Sequence, residues 1–403
     1  MRLVWLLVLA ASGCRGILGF EDAVLVDATI DVASCARWQP QGFDPCALGT
    51  PQPALDLGPG TYVYDTTTAG GQLSNGAGVI QSSALTVTQA DQSVVAVLSV
   101  AAFTVEAGAT LEVVGPKPLL IASWSTIAVD GAIDAGSQLG VTDVPGHIAQ
   151  TIRLGAGADQ GCTGLAGMAG GNAAAAGGAG GGGGGGFQGT GGLGGTGGNA
   201  SAAGGTGGPS AALPVIRGGC PGGTSGTAGA IAAAPATAAS RAQGGAGGGA
   251  IRLAALAAIT VTGSIGANGA GGAGAPTRSA CGGGGGGAGG YIGLDAPAAM
   301  ISGTLTANGG GGGGGGPATG AGNDGSDGSA DGSPASGGGL ASGGCGRPGG
   351  QGSIQLTLTG ASATGSDACG GGGGGGAAGF ILVASPAYTA TADARISPPA
   401  TQQ

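Results

Sequence analysis

A strand-like frame that ends in glycine occurs three times in this chain, and it constrains the fold more than any other feature. Apolar and polar residues alternate within each copy, which is the pattern of a β-strand with one buried face. A second apolar run precedes each copy, so that two strands and a turn span about 18 residues, the size of one β-solenoid layer. The three copies are Ile127–Gly136, Ile259–Gly269 and Ile301–Gly309.

A glycine interrupts the apolar face in the middle of each copy, at Gly131, Gly263 and Gly303. The missing side chain predicts a bend, a bulge or the close approach of a neighbouring backbone. Two copies end in an Asn-Gly dipeptide, at Asn268 and Asn308. This dipeptide is typical of turns with positive φ.

These patterns predict an all-β fold of parallel β-solenoid or β-helix-like strand units joined by glycine-rich segments. Phe380–Ile396 keeps the strand pattern but does not end in glycine as the three copies do, which is expected of a capping repeat. A β-sandwich with glycine-rich insertions is the alternative fold. The predicted segments are a signal peptide at 1–13, a tether with a small cysteine-bounded loop at 14–60, an N-terminal β region at 61–136, a glycine-rich insertion at 137–249, strand units alternating with glycine runs at 250–398 and a tail at 399–403.

Glycine accounts for 103 of the 403 residues, and its runs permit two interpretations. Flexible linkers are favoured by entropy, because glycine loses more backbone freedom on ordering than any other residue. Ordered polyglycine-II-like segments, with three residues per turn and backbones close enough to hydrogen-bond, are favoured because the runs recur after strands and adjoin cysteines. The longest runs are Gly180–Gly186, Gly282–Gly287, Gly309–Gly316 and Gly370–Gly376.

The N-terminus has the pattern of an export signal. Arg2 precedes an apolar run from Leu3 to Ala11, and small residues follow it. The Ala-Ser-Gly-Cys ending resembles the lipobox of bacterial lipoproteins, which implies cleavage before Cys14, acylation of its thiol and membrane attachment through that lipid. The residue after the cysteine is Arg15 and not aspartate, and by resemblance to lipoproteins sorted to the outer membrane this favours the outer membrane or the cell surface. An ordinary signal peptide and an uncleaved anchor are the alternatives.

Export makes disulfides chemically reasonable, since thiols oxidise outside the cytosol. Cys35 and Cys46 bracket a short loop and are predicted to pair. Lipidation of Cys14 would leave seven of the eight cysteines, so that one thiol is free or pairs between chains. The remaining five lie beside glycine and are predicted to staple glycine segments: Cys162, Cys220, Cys281, Cys345 and Cys369.

The triplet run Thr190–Gly198 is similar to the glycine triplets of PGRS-type surface proteins. The strand-plus-glycine units, over roughly residues 119–398, resemble the glycine-rich lipoproteins and adhesin-like proteins of bacterial envelopes. This resemblance implies a structural or surface role and carries no catalytic residues with it.

The charge pattern excludes some partners. The net charge is −9 and only 8% of residues are charged. The sequence therefore offers no basic surface that could bind nucleic acid and no basic amphipathic helix that could bind a membrane surface. A partner would be an envelope or surface polymer, or another protein.

Few residues suggest catalysis or metal binding. His147 is the only histidine, and we interpret it as a loop residue. Asp130 and Asp134, at even spacing, could form the acid–base pair of a glycosidase, although a solvated strand face explains them as well.

Three aspartates, Asp324, Asp327 and Asp331, are spaced among glycine and serine. Oxygen-rich, turn-prone loops of this kind can collect Ca²⁺, and a solvated acidic loop is the alternative.

The function predicted from the sequence is that of an exported, lipid-anchored protein of the outer membrane or cell surface, facing the periplasm or the exterior. It would have a structural or adhesive role and no catalytic activity. The alternative is a β-helical polysaccharide-acting enzyme that uses Asp130 and Asp134. A third hypothesis is a binding module whose glycine insertion displays Phe187 and Leu193 to a partner.

Overall fold

The computed structural model describes residues 32–140, 153–173, 177–198, 201–212, 215–228, 241–276, 280–317, 320–339, 345–365 and 368–403. The predicted signal peptide, Cys14 and His147 lie outside these ranges. No helix in the described ranges is long and apolar enough to cross a membrane.

Nearly all the regular structure of the described residues is β. A short helix and a 3-10 turn precede the strands. The elements in chain order are α1 (Val32–Arg37), the 3-10 helix Pro45–Leu48, β1 (Leu55–Leu57), β2 (Gly60–Asp65), β3 (Gly71–Asn75), β4 (Gly78–Ser83), β5 (Thr86–Thr88), β6 (Val94–Val100), β7 (Phe103–Val105), β8 (Ala109–Val114), β9 (Leu119–Ser123), β10 (Thr126–Val129), β11 (Ala132–Asp134), β12 (Ala250–Ala255), β13 (Ala258–Val261), β14 (Ser264–Gly266), β15 (Tyr291–Asp295), β16 (Ala298–Ile301), β17 (Thr304–Thr306), β18 (Phe380–Ala384), β19 (Ala387–Ala390), β20 (Arg395–Ser397) and β21 (Thr401–Gln402).

The described strands form three sheets. Sheet A has the order β21-β18-β15-β12-β9-β6-β5, sheet B the order β1-β7-β10-β13-β16-β19, and sheet C the order β20-β17-β14-β11-β8-β2-β3-β4. From β6 onward, successive strands belong to sheets A, B and C in turn. These strands pair in parallel, whereas β3, β4 and β5 pair antiparallel to their neighbours. The predicted N-terminal β region therefore shares its three sheets with the later strand units.

Each predicted unit contains three short strands rather than two, because the glycine in its middle is a corner between sheets B and C. Gly263 separates β13 from β14, and a Cβ atom at this position would lie 1.9 Å from the carbonyl oxygen of Gly131. A Cβ at Gly303 would lie 2.0 Å from the carbonyl oxygen of Gly263. The predicted close approach of a neighbouring backbone is thus present, and it excludes any side chain from the corner.

The core lies between the three sheets and is built from the alternate apolar side chains that the frame predicts. In sheet B, Ile127 lies in register between Phe103 and Ile259 on neighbouring strands, and all three side chains are buried. Matching columns in sheets A and C complete one continuous cluster. The period-two pattern therefore identifies the buried face correctly.

The glycine-rich segments all leave the end of a sheet C strand and return to the start of a sheet A strand. They connect β11 to β12, β14 to β15 and β17 to β18. Because the strands are stacked, the three segments leave from one corner and lie beside one another. This placement lets segments far apart in sequence exchange backbone hydrogen bonds.

Successive residues of Gly180–Gly186 bond to three different segments in rotation. The pattern therefore has a period of three, whereas successive residues of a β-strand alternate between two neighbours. The N–H groups of Gly180, Gly183 and Gly186 donate to the carbonyls of Gly171, Met168 and Leu165; those of Gly181 and Gly184 donate to Gly195 and Gly192; and those of Gly182 and Gly185 donate to Gly283 and Gly286, at 2.8–3.1 Å.

This close backbone contact requires glycine. A Cβ atom at Gly184 would lie 1.9 Å from the carbonyl oxygen of Gly375, and one at Gly285 would lie 1.9 Å from that of Gly183. All of Gly180–Gly186 and Gly282–Gly287 is buried. In the described residues, these runs are hydrogen-bonded structure and not linkers.

The two Asn-Gly dipeptides do not adopt the predicted positive φ. Asn268 and Asn308 instead occupy neighbouring layers at the corner where the glycine segments begin. The Asn308 backbone N–H donates to Asn268 Oδ1 at 2.8 Å, and the Asn308 side-chain amide donates to the Ser329 carbonyl at 2.8 Å. Parallel stacking of equivalent positions gives each side chain a partner, which a turn-propensity argument does not consider.

Three disulfides lie within the described residues. Cys35 pairs with Cys46, the cysteines that bracket the short N-terminal loop. The others join glycine-rich segments, which are the staples that the sequence predicts. They are Cys162–Cys220 and Cys345–Cys369. The same prediction for Cys281 is wrong, because this cysteine is a buried free thiol.

The inner face of sheet A packs against the core, and a second apolar cluster covers its outer face. The N-terminal segment 38–48 contributes Trp38 and Leu48 to this cluster, and the glycine insertion contributes Phe187. Phe187 is fully buried and packs edge-to-face on Phe380, with ring centroids 4.9 Å apart. The hypothesis that Phe187 is displayed to a partner is therefore wrong, whereas Leu193 is 53% exposed.

Candidate functional site

The predicted calcium ligands do not converge. Asp324 Oδ1 accepts the Gly274 N–H at 2.7 Å, and Asp327 Oδ1 accepts the N–H groups of Leu139 and Gly271, each at 2.9 Å. Both carboxylates thus accept backbone N–H groups of the segment that follows β14, and Asp327 in addition accepts one from the loop at Leu139.

Asp331 lies in a local turn, where it accepts the Ser329 hydroxyl and the Ser333 N–H. Within the described ranges, no three His, Cys, Asp or Glu side chains are grouped to hold a metal ion. The predicted site is not assembled, because the Gly- and Ser-rich spacing turns the three side chains toward separate donors.

Asp130 and Asp134 are also separated. The corner at Gly131 lies between them: Asp130 follows β10 of sheet B, whereas Asp134 is in β11 of sheet C, so even spacing does not place them on one sheet. Asp130 is exposed and accepts the hydroxyl of Thr262 in the next layer. Asp134 lies on β11 and pairs with Arg153, which also contacts Glu112 at 3.0 Å.

The carboxyl group of Asp159, in the glycine-rich part, has a strongly raised pKa. Burial raises the pKa of Asp159 to about 6, from an ordinary value of 3.8, although its carboxylate accepts the Gly247 N–H at 2.8 Å. The charged form is therefore disfavoured in the folded state. Stability from this group is greatest at low pH and is lost as the pH rises from about 4 to about 6.

We expect Asp159→Asn to remove this loss and to stabilise the protein at pH 8 by about 2 kcal/mol, less than the full shift implies because the side chain keeps some solvent contact. Asparagine keeps the acceptor and tolerates the positive φ of this residue. Urea unfolding of wild type and variant at pH 4.5 and 8 measures the effect. Equal stability differences at both pH values would contradict it, and Asp393→Asn at an exposed turn is the control.

The described structure contains a cavity with a mixed polar and apolar lining between the N-terminal segment, including Arg37, and the ends of β15 and β18. Its volume is about 360 Å³. A second cavity of about 220 Å³ adjoins it, and Gln41 and Gln403 line both. The larger cavity is within the size range of small-molecule sites, although at its lower end.

A buried ion pair spans the two cavities. Arg252 on β12 and Asp295 on β15 lie on adjacent strands, with Nη2 and Oδ2 2.5 Å apart, and their exposures are 7% and 8%. Asp295 Oδ2 also accepts the Gln41 N–H at 2.8 Å, which fixes the N-terminal segment over the sheet. Tyr291 lies beside this pair, and burial raises the pKa of its hydroxyl.

Two residues that line the larger cavity bury a polar atom without a hydrogen-bond partner. They are the indole nitrogen of Trp38 and the hydroxyl of Ser385, and the two residues are only 4% and 8% exposed. A buried polar atom without a partner costs about 1–3 kcal/mol. Both atoms are covered by protein, with less than 1 Å² of accessible surface each, so they do not face the open space of the cavity.

Sequence reasoning did not identify this cavity. The available signal is a charged residue within an otherwise apolar strand, as at Arg252 between Ile251 and Leu253. The partner, Asp295, is 43 positions away, and only the stacking of sheet A brings the two together. Comparison with protein-family models, with curated proteins and with solved structures found no match for this chain.

Proposed function

We propose that this chain is an exported, lipid-anchored protein of the bacterial outer membrane or cell surface with a structural or adhesive role. The observation that carries the proposal is the set of three disulfides in the described residues, in a chain whose N-terminus has an export-signal pattern. Disulfides persist in oxidising compartments such as the periplasm or the cell exterior.

We infer that the strand part is a parallel β-solenoid and that the glycine segments are a polyglycine-II-like bundle. The rotation of successive strands among sheets A, B and C supports the first inference. The period-three hydrogen bonding of Gly180–Gly186 supports the second. A rigid, cross-linked backbone of this kind suits a scaffold at a surface.

The cysteine inventory supports Cys14 as the lipid attachment site. Six of the seven cysteines in the described ranges are paired, and the seventh, Cys281, is fully buried. This matches the arithmetic expected when Cys14 carries the lipid and is unavailable for a disulfide.

Cys14→Ser is expected to abolish lipid attachment and to move the protein out of the membrane fraction. Metabolic labelling of a bacterial host with an alkyne fatty acid, followed by fractionation, measures both effects. Cys281→Ser is the matched control, and it should keep the label. Equal labelling of Cys14→Ser and wild type would contradict the anchor.

The surface role is tested separately on intact cells that express the full chain. Antibody against the folded protein is expected to label unpermeabilised cells. Labelling that appears only after the outer membrane is permeabilised would contradict display on the exterior and would restrict the role to the periplasm.

A further inference from the structure

We propose that the Cys162–Cys220 disulfide is a thiol-exchange site, at which a small thiol from solvent becomes attached to Cys162 while Arg217 stabilises the released Cys220 thiolate. The product is a mixed disulfide, so the site is one of reversible covalent modification. This inference goes beyond the proposed surface role and does not depend on the lipid anchor.

The guanidinium group of Arg217 is directed at the two sulfur atoms. Its Nη2 lies 3.1 Å from Cys220 Sγ and 3.8 Å from Cys162 Sγ, and its Nη1 donates to the Gly161 carbonyl at 3.1 Å. The group also lies over the ring of Phe187, 5.2 Å from the ring centroid, which holds it in place. A positive charge this close to a sulfur favours its thiolate form.

No carboxylate occupies the donors that Arg217 directs at the sulfurs. Asp91 is near enough to attract the guanidinium, but its carboxylate accepts the N–H and the hydroxyl of Ser93. Asp159 accepts the Gly247 N–H, and no ion pair within the described ranges includes Arg217. A disulfide sulfur is a weak acceptor, whereas a thiolate makes a charge-assisted hydrogen bond. Opening the disulfide therefore gives Arg217 a stronger partner than it has in the oxidised protein.

The difference in exposure decides which sulfur is attacked. Cys220 is 0% exposed, whereas Cys162 is half-buried and lies between the exposed residues Gly161 and Thr163. A thiolate from solvent therefore attacks Cys162 Sγ. The new S–S bond forms there, the bond to Cys220 breaks, and its electron pair leaves on Cys220 Sγ beside Arg217 Nη2. Attack by the Cys220 thiolate on Cys162 reverses the step and releases the thiol, so the cycle needs no oxidant.

Backbone hydrogen bonds keep the two cysteines in place when the disulfide opens. The Gly167 N–H donates to the Pro221 carbonyl at 2.9 Å, which joins the two segments beyond the disulfide. The Cys220 carbonyl accepts the Ala288 N–H at 2.9 Å, which ties it to the glycine bundle. Because these bonds do not involve the sulfurs, the exchange leaves the segments together and ready to close again.

The test treats the purified, oxidised full chain with reduced glutathione at pH 7, blocks free thiols with iodoacetamide at intervals and maps both modifications by peptide mass spectrometry. We expect glutathione on Cys162 and the iodoacetamide label on Cys220. The opposite assignment, or no glutathione on Cys162, would overturn the proposal.

Variants of Arg217 test its action on the leaving sulfur. Arg217→Met is expected to slow the attachment of glutathione about tenfold, and Arg217→Lys should restore most of the rate because it keeps the charge. Arg395→Met, at an exposed arginine on β20, is the matched control and should react as wild type does.

The pH dependence of labelling separates this charge effect from a loosened structure. After full reduction, Cys220 of wild type should react with iodoacetamide at a lower pH than Cys220 of Arg217→Met, by about one pH unit. A merely structural role of Arg217 would make the disulfide more accessible in the variant. Exchange in Arg217→Met that is as fast as in wild type or faster, with an unchanged pH dependence of Cys220, would therefore contradict the proposal.

Discussion

Gly184→Ala is expected to destabilise the glycine bundle by more than about 3 kcal/mol, because the new methyl group has no space that a side-chain rearrangement could supply. The Cβ atom would lie 1.9 Å from the carbonyl oxygen of Gly375, which is itself backbone. The Gly184 N–H and the Gly192 carbonyl, now 2.8 Å apart, would have to separate as the segments move. Urea unfolding and limited proteolysis measure the loss.

Gly76→Ala is the matched control for this substitution. Nothing lies within 4 Å of a Cβ atom at Gly76, so this variant should be as stable as wild type or slightly more stable. If Gly184→Ala and Gly76→Ala unfolded at the same urea concentration, the packing described for the glycine runs would be wrong.

Arg252→Met is expected to destabilise the protein by about 3–5 kcal/mol, because it leaves the buried carboxylate of Asp295 without its countercharge. Asp295 is 8% exposed, and the Gln41 N–H, which also donates to this carboxylate, is neutral. The methionine stem replaces much of the arginine stem, so that the loss reflects charge more than volume. Urea unfolding at neutral pH measures the effect.

The double variant Arg252→Met/Asp295→Asn separates the ion pair from general packing. It removes both charges and should recover most of the stability that the single variant loses. If the double variant were less stable than Arg252→Met, the two side chains would not be coupled as the 2.5 Å contact indicates.

Much of the strand part could be predicted from the sequence, because side-chain alternation encodes which face is buried. The frame at Ile259 identified the correct inward residues, and Gly263 marked a real close approach. The third strand of each unit was missed because period-two alternation continues across the corner. Only the 1.9 Å approach of the Gly131 carbonyl shows that Gly263 ends one strand and begins another.

The sequence could not predict which segments hydrogen-bond to one another in the glycine bundle. Every residue of Gly282–Gly287 is identical in sequence, yet Gly283, Gly284 and Gly285 bond to Gly371, Ala273 and Gly223. Identical residues carry no pattern that selects among partners, so the strand stacking must set the register. The same stacking creates the cavity, since Trp38 and Ser385 are distant in sequence and line it together only in the folded chain.

The most direct test of the ordered glycine bundle is amide hydrogen exchange of the oxidised full chain, read by mass spectrometry. All five N–H groups of Gly283–Gly287 donate to backbone carbonyls at 2.8–2.9 Å. Slow exchange across Gly282–Gly287 and Gly370–Gly376, comparable to that of β12, is the predicted result. Exchange at the free-chain rate in both runs, with protection confined to strands such as β13, would contradict it.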